Sequence, residues 1–311
     1  DHYKNITGNL ELNHYEHGFI IKFEETEISG MDAFFTLKKN GEIIRHEFSL
    51  LSGFTHSSRI LSPMELADVS EIKVYNKSVT PLEIFKMDQW GTVVFPDSTF
   101  NLSLINDQLH IRGEQHTFFD TVYIWAQAVH IDAPPNGELM SNIYKVHPNL
   151  IPFNKEIQLE IILNSHHFLE HLSIYYYNEE KKIWNYMPSE YNSDSTYMRT
   201  NILSGEIFAI IKELEVPILS SFIPSINGTY YGADLKNISF QVEDKFAGIE
   251  GETDVFMELD GKRVIFEYNT YQQKVRYPLK YSLTPGKHTL YVDAKDRVGN
   301  KSVIKGDFYI K

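Results

Sequence analysis

Apolar residues in this chain fall in strand-length blocks separated by polar turn clusters, and the longer blocks alternate apolar and polar at every second position. That period belongs to a half-buried strand, not to a helix. Phe19-Ile20-Ile21 and Phe34-Phe35-Thr36-Leu37 are early examples. Asn40-Gly41 stands between Leu37 and Ile43, and this pair tolerates the positive φ angles of a two-residue hairpin turn. Ser62-Pro63-Met64-Glu65 carries an N-cap, a proline at the first helical position and a Glu that completes a capping box. It predicts one helical turn crossing between sheets, followed by a strand from Glu71 to Tyr75.

In the next stretch, Val122, Ile124, Ala126 and Ala128 form one face of a strand whose other face carries Tyr123, Trp125 and Gln127. Further strands are expected over Ile157 to Leu163, Leu172 to Tyr177 and Ile207 to Ile211, with a loop at Pro134-Pro135-Asn136-Gly137. After Glu215-Val216-Pro217 the hairpins are clearest. Val255, Met257 and Leu259 alternate up to Asp260-Gly261, and Val264 and Phe266 resume beyond it. Pro285-Gly286 introduces Leu290, Val292 and Ala294, and Asp296-Arg297-Val298-Gly299-Asn300 forms the next turn. The pattern predicts an all-β protein of tandem antiparallel β-sandwich modules, the last immunoglobulin-like.

Length sets the number of modules. The chain has 311 residues, and one ordinary sandwich takes about 100. Three modules are expected: a small β-sandwich over 1–86, a second over 87–214 and an immunoglobulin-like domain over 215–311. Aromatic residues make up 14% of the chain, with 19 Tyr and 20 Phe, a composition suited to pleated sheets. The formal charge of −13 repels phosphate backbones and anionic lipid, so neither nucleic acid nor a membrane surface is an expected partner. No apolar run reaches the ~18 residues that a membrane-spanning helix needs. With no cysteine, disulfide frameworks and thiolate metal sites are excluded. The chain opens at Asp1-His2-Tyr3-Lys4, without a basic and apolar leader, so an export signal is expected outside this segment.

Three stretches of the last segment resemble bacterial immunoglobulin-like domains: Leu259-Asp260-Gly261-Lys262, Leu283-Thr284-Pro285-Gly286-Lys287-His288-Thr289-Leu290, and Val292 through Asn300. The middle segment is similar to the ZU-type sandwich of ankyrins and netrin receptors in Gly91 to Pro96, Ile143 to Pro148, Ile157 to Leu163, and Leu172 to Tyr177 leading to Trp184. In this order the modules resemble the non-catalytic region that follows the catalytic domain in secreted zinc endopeptidases of the lysostaphin/LytM class. The resemblance implies an exported parent protein acting on peptidoglycan, with a catalytic domain upstream of these modules.

Each motif that could carry chemistry also has a structural explanation. His116-Thr117-Phe118-Phe119-Asp120 has the spacing of the first element of those peptidases, but the chain contains no His-x-His to complete a zinc site. It is expected to be a polar turn. His167-Phe168-Leu169-Glu170-His171 fits the inverted zincin motif, which makes His167, Glu170 and His171 candidate metal ligands. That chemistry requires a helix to place both imidazoles on one face, whereas strands are predicted on either side. Asp244, Asp293 and Asp296, with Asn300, are candidate oxygen ligands for calcium, and they are equally the ordinary residues of turns. Tyr175, Tyr177 and Trp184 are candidates for an aromatic platform that stacks on a sugar ring. Alternation places Tyr176 on the opposite face.

The sequence therefore predicts a non-catalytic accessory or adhesion region without a cofactor. It would position a peptidase domain or bind peptidoglycan or another cell-surface glycan, outside the cytoplasm. A carbohydrate-binding module is the second expectation, and a zinc hydrolase built on the His167 segment the third.

Overall fold

The computed structural model describes residues 8–15, 18–25, 32–81, 83–88, 91–149, 151–164 and 169–311. The regular structure is nearly all strand, with one short helix and one 3-10 turn among the described residues. It divides into two compact units. The first comprises Asp1–Ile131, Asn142–Leu163 and Ser189–Ala209, and the second Asp132–Ser141, Asn164–Pro188 and Ile210–Lys311.

The first unit opens with two four-stranded antiparallel sheets. One has the order Gly8–Tyr15, Gly18–Glu25, Thr55–Ser57, Ser49–Ser52, and the other Glu42–Glu47, Ala33–Lys39, Val69–Asn76, Glu83–Asp88. The turn at Asn40-Gly41 has φ +49° and +86° at its two residues, the geometry expected of that pair. Ser62 caps the helix Pro63–Leu66: its side chain accepts from the Glu65 amide, and the Glu65 carboxylate accepts from the Ser62 amide. This turn carries the chain from the first sheet to the second, as the sequence predicted.

Phe23, Phe35, Leu37, Ile72 and Val74 fill the space between the sheets. Within that core the Glu25 carboxylate and His56 Nε2 meet at 2.9 Å, both side chains almost fully buried. The rings of Phe23 and Phe48 lie 6.3 and 6.0 Å from the imidazole.

The same unit holds a five-stranded sheet in the order Phe100–Leu104, Leu109–Gly113, Ile157–Ile162, Tyr197–Ile202, Glu190–Tyr191. Strand Val122–Val129 pairs on one side with Gly91–Val94 and on the other with Ile143–His147. Here the structure corrects the sequence reading. Val122 through Ala126 are buried on both faces, while Ala128, expected inside, is exposed. Tyr123 and Trp125 join the core cluster that contains Phe19 and Phe35. Trp125 also stacks flat on His147, ring centroids 4.1 Å apart at 7°. Burial holds the His147 imidazole down at a pKa of about 3, with the Lys145 charge adding to the effect.

In the second unit, Gly137–Leu139 pairs with the end of Ile207–Glu213, and Leu172–Asn178 pairs with Ile183–Met187. The immunoglobulin-like sandwich follows. One sheet has the order Ile218–Ile223, Asn237–Glu243, Lys274–Pro278, Glu267–Asn269, and the other Thr229–Tyr230, Lys301–Ile310, Gly286–Lys295, Val255–Leu259, Lys262–Arg263. Phe240, Val242, Met257, Val292 and Phe308 form its core. The Asp260-Gly261 turn has φ +53° and +75°. The strand beyond it is shorter than the alternation implied: it ends at Arg263, and Glu267–Asn269 belongs to the opposite sheet. Thr229–Tyr230 pairs in parallel with Tyr309–Ile310, an exception to the antiparallel pattern.

Candidate functional site

Three strand ends of the second unit bring carboxylates together. Glu213 is the last residue of Ile207–Glu213, Asp244 follows Asn237–Glu243, and Asp296 follows Gly286–Lys295. One carboxylate oxygen from each lies within 4.8 Å of the other two. Glu213 is 1% exposed and Asp296 fully buried, whereas Asp244 is half-buried.

Two of the carboxylates are fixed by their own loops. Asp296 Oδ1 accepts from the backbone amides of Val298 and Asn300 at 2.9 and 2.8 Å, and Oδ2 accepts from Asn300 Nδ2 at 2.8 Å. Asp244 Oδ1 accepts from the amides of Phe246 and Gly248. Side chains of Asp and Asn form such bonds readily, which is why these types occupy the two turns. Glu213 is held by fewer such bonds, one of them from the Ala247 backbone amide. Its Oε2 accepts from the Tyr175 hydroxyl at 3.4 Å, and its buried Oε1 has no hydrogen-bond partner.

Among the described residues, none of the three forms an ion pair with a Lys, Arg or His. Burial pushes the Glu213 carboxyl up to about 8, and the charges of Asp244 and Asp296 push it further the same way. Asp296 is raised as well, by burial first. A cluster of this kind retains a proton or takes up a cation, because three unscreened carboxylates at this separation repel strongly in a low dielectric.

Aromatic and polar contacts surround the cluster. Tyr175 stacks on Phe246 at 4.4 Å and 12°, and meets Tyr186 edge-on at 5.9 Å. The Arg297 guanidinium sits 5.4 Å over the Tyr186 ring, and its backbone amide donates to Gly248 O at 3.1 Å. His171 Nδ1 lies 3.2 Å from Val298 O, and His171 O accepts from the Glu213 amide at 2.9 Å.

The sequence-derived candidates fare unevenly. Tyr175 is 0% exposed and Trp184 8%, so the platform expectation is corrected at Tyr175: a ring covered by Phe246 offers no face to a sugar. Tyr177 is half-buried, tilted against Trp184 at 5.2 Å in a cross-strand pair. Of the zincin-like segment, His167 lies outside the described residues. Glu170 and His171 are not helical, and His171 has φ +62°, so the pair lacks the helix that this motif needs. His116 is in a turn beside Asp97, as expected.

The calcium candidates divide. Asp244 and Asp296 are in the cluster, and Asn300 supports Asp296. Asp293 is directed elsewhere and pairs with Lys301. Glu213 was missed, since a Glu ending a strand has no distinguishing local signal.

No protein-family model and no curated protein matches the chain. Among solved structures it is similar to the M60 catalytic domain with two CBM51 domains from Clostridium perfringens ZmpB, at 8% identity over 99% of this chain and 40% of that one, with a TM-score of 0.21. It is also similar to the extracellular domain of a one-component system from B. thetaiotaomicron, at 12% identity over 96% and 44% of the two chains, with a TM-score of 0.23. A third is Sidekick-1 immunoglobulin domains 1–4, at 10% identity over 99% of each chain and a TM-score of 0.21. The chain spans less than half the length of the first two. At these TM-scores the likeness carries nothing further over to this protein.

Proposed function

We propose that this chain is a non-catalytic accessory region of an exported bacterial protein, a β-sandwich spacer whose immunoglobulin-like sandwich is fastened to the strands that precede it in the second unit. On this reading a peptidoglycan peptidase domain or a surface-binding partner is carried elsewhere in the same protein. The observation that supports it is the fastening around Glu213. The last residue of one strand is buried with two loops of the immunoglobulin-like sandwich, and the Tyr175–Phe246 stack and the His171–Val298 contact reinforce that junction. A linker meant to swing would leave these groups in water, because inter-domain freedom goes with small, polar contacts.

The chain has no cysteine, so spin labels can be placed without removing native thiols. Labels at Lys181→Cys and Lys262→Cys, both exposed, should give one narrow distance distribution by pulsed electron resonance. A broad or bimodal distribution would overturn the spacer reading. Release of peptide amines from purified peptidoglycan by the same protein would overturn its non-catalytic part.

A further inference from the structure

We propose that Glu213, Asp244 and Asp296 form a binding site for one calcium ion. The site uses the same junction around Glu213 as the spacer reading and rests on that contact, but calcium binding is read by calorimetry and luminescence, separately from the label distances and from any test of catalysis.

The first support is geometric. Three carboxylates from three separate segments converge with their oxygens within 4.8 Å of one another. Oxygens on opposite sides of a calcium ion stand about 4.6–5.2 Å apart, twice its bond length, so one ion can touch all three. The donors are all oxygen, the preference of a hard cation. Zinc sites are built chiefly on His and Cys, with carboxylates as a minority of the ligands, and none of these three side chains is a His or Cys.

The second support is the state of Glu213. Its carboxyl is buried, reaches into the cluster and keeps Oε1 without a hydrogen-bond partner. Buried polar atoms in native proteins nearly always have partners, and an orphan of this kind points to an ion. Turn geometry does not explain it, because Glu213 ends a strand and belongs to neither loop. The loops do contribute something separate. Backbone amides hold one oxygen of Asp244 and both Asp296 oxygens are held in place before any ion arrives. Asp244 is half-exposed, giving the ion a way in. Water and bidentate carboxylates would complete the six to eight oxygens that calcium takes.

The test uses the whole chain stripped with a chelator. Calorimetry should find one calcium per chain with a Kd of about 10⁻⁴ M, typical of extracellular modules. Terbium, a calcium surrogate, should luminesce on tyrosine excitation because the Tyr175 hydroxyl contacts Glu213. Calcium at about a hundredfold excess over Kd should raise Tm by roughly 5–10 °C, and magnesium at the same concentration by much less. Glu213→Gln and Asp244→Asn should each weaken calcium binding at least about tenfold, the loss of one of three charged ligands. Asp293→Asn, whose parent carboxylate pairs with Lys301, should leave it unchanged. Absence of binding up to about 10 mM, well above the range of extracellular sites, overturns the proposal. So does calcium binding that survives both ligand substitutions. If Glu213→Gln does not fold, Asp244→Asn decides the matter from a half-exposed loop.

Discussion

Lowering the pH from 7 to 4 should cost the first unit about 3 kcal/mol through His147 alone. The imidazole is buried flat against Trp125, and its Nε2 finds no partner, so folding disfavours the charged form. In the folded protein it accepts a proton only near pH 3, against 6.5 for the unperturbed group. Between those values the unfolded chain binds more protons, and stability must therefore fall as pH falls. This contribution is complete above about 6.5 and is lost progressively toward 3. Carboxylates titrate over part of the same range, so the measurement is a difference. Urea unfolding of wild type and His147→Gln at pH 7 and pH 4 should show the acid loss shrinking by about 3 kcal/mol in the variant. Equal losses in the two proteins would mean that His147 is protonated without penalty.

Removing one member of the Glu25–His56 pair should be worse than removing both. Each side chain is buried at 3% exposure, and their 2.9 Å contact is enclosed by Phe23 and Phe48. Taking away one partner leaves the other without its counterpart in an apolar core, at a cost of about 3–5 kcal/mol. Replacing both by apolar residues removes that liability, and such replacements are often close to neutral. Glu25→Leu and His56→Leu should each destabilise by that amount in urea, and the double variant by clearly less than either. Additive losses would show that the pair is incidental and that each residue acts through separate contacts.

These two sites illustrate which parts of the structure are legible in the sequence. The Asn40-Gly41 and Asp260-Gly261 turns and the Ser62–Glu65 capping box were readable because their causes lie within a few residues. The second face of Val122–Ala126 was not. Whether Tyr123 and Trp125 meet water or Phe19 depends on a strand a hundred positions earlier, and alternation cannot report a strand buried on both sides. The carboxylate cluster falls between. Asp244 and Asp296 announce themselves as turn residues, and Asn300 as the partner that supports one of them. Asp293 stands three residues before Asp296, but strand alternation turns it away from Asp296 and toward Lys301. Glu213 comes from a distant strand, so only the folded chain brings it to the other two. The same limit applies to Tyr175, whose ring is covered by a loop some seventy residues away.

The parallel pairing of Thr229–Tyr230 with Tyr309–Ile310 bears on how the terminal sandwich carries load. These strands stand near the entrance and the exit of that sandwich, and they run in the same direction. Tension applied through the two ends pulls them past each other lengthwise. The hydrogen bonds that the Tyr309 and Lys311 backbone amides donate to the carbonyls of Gly228 and Tyr230, 2.9 and 2.8 Å long, are then strained together instead of opening one after another as in a peeled hairpin. Stretching a single molecule from both ends should give a high rupture peak for this sandwich, and Tyr230→Pro, which shortens the parallel contact, should lower it. A spacer stretched between two attachments would yield last at this end.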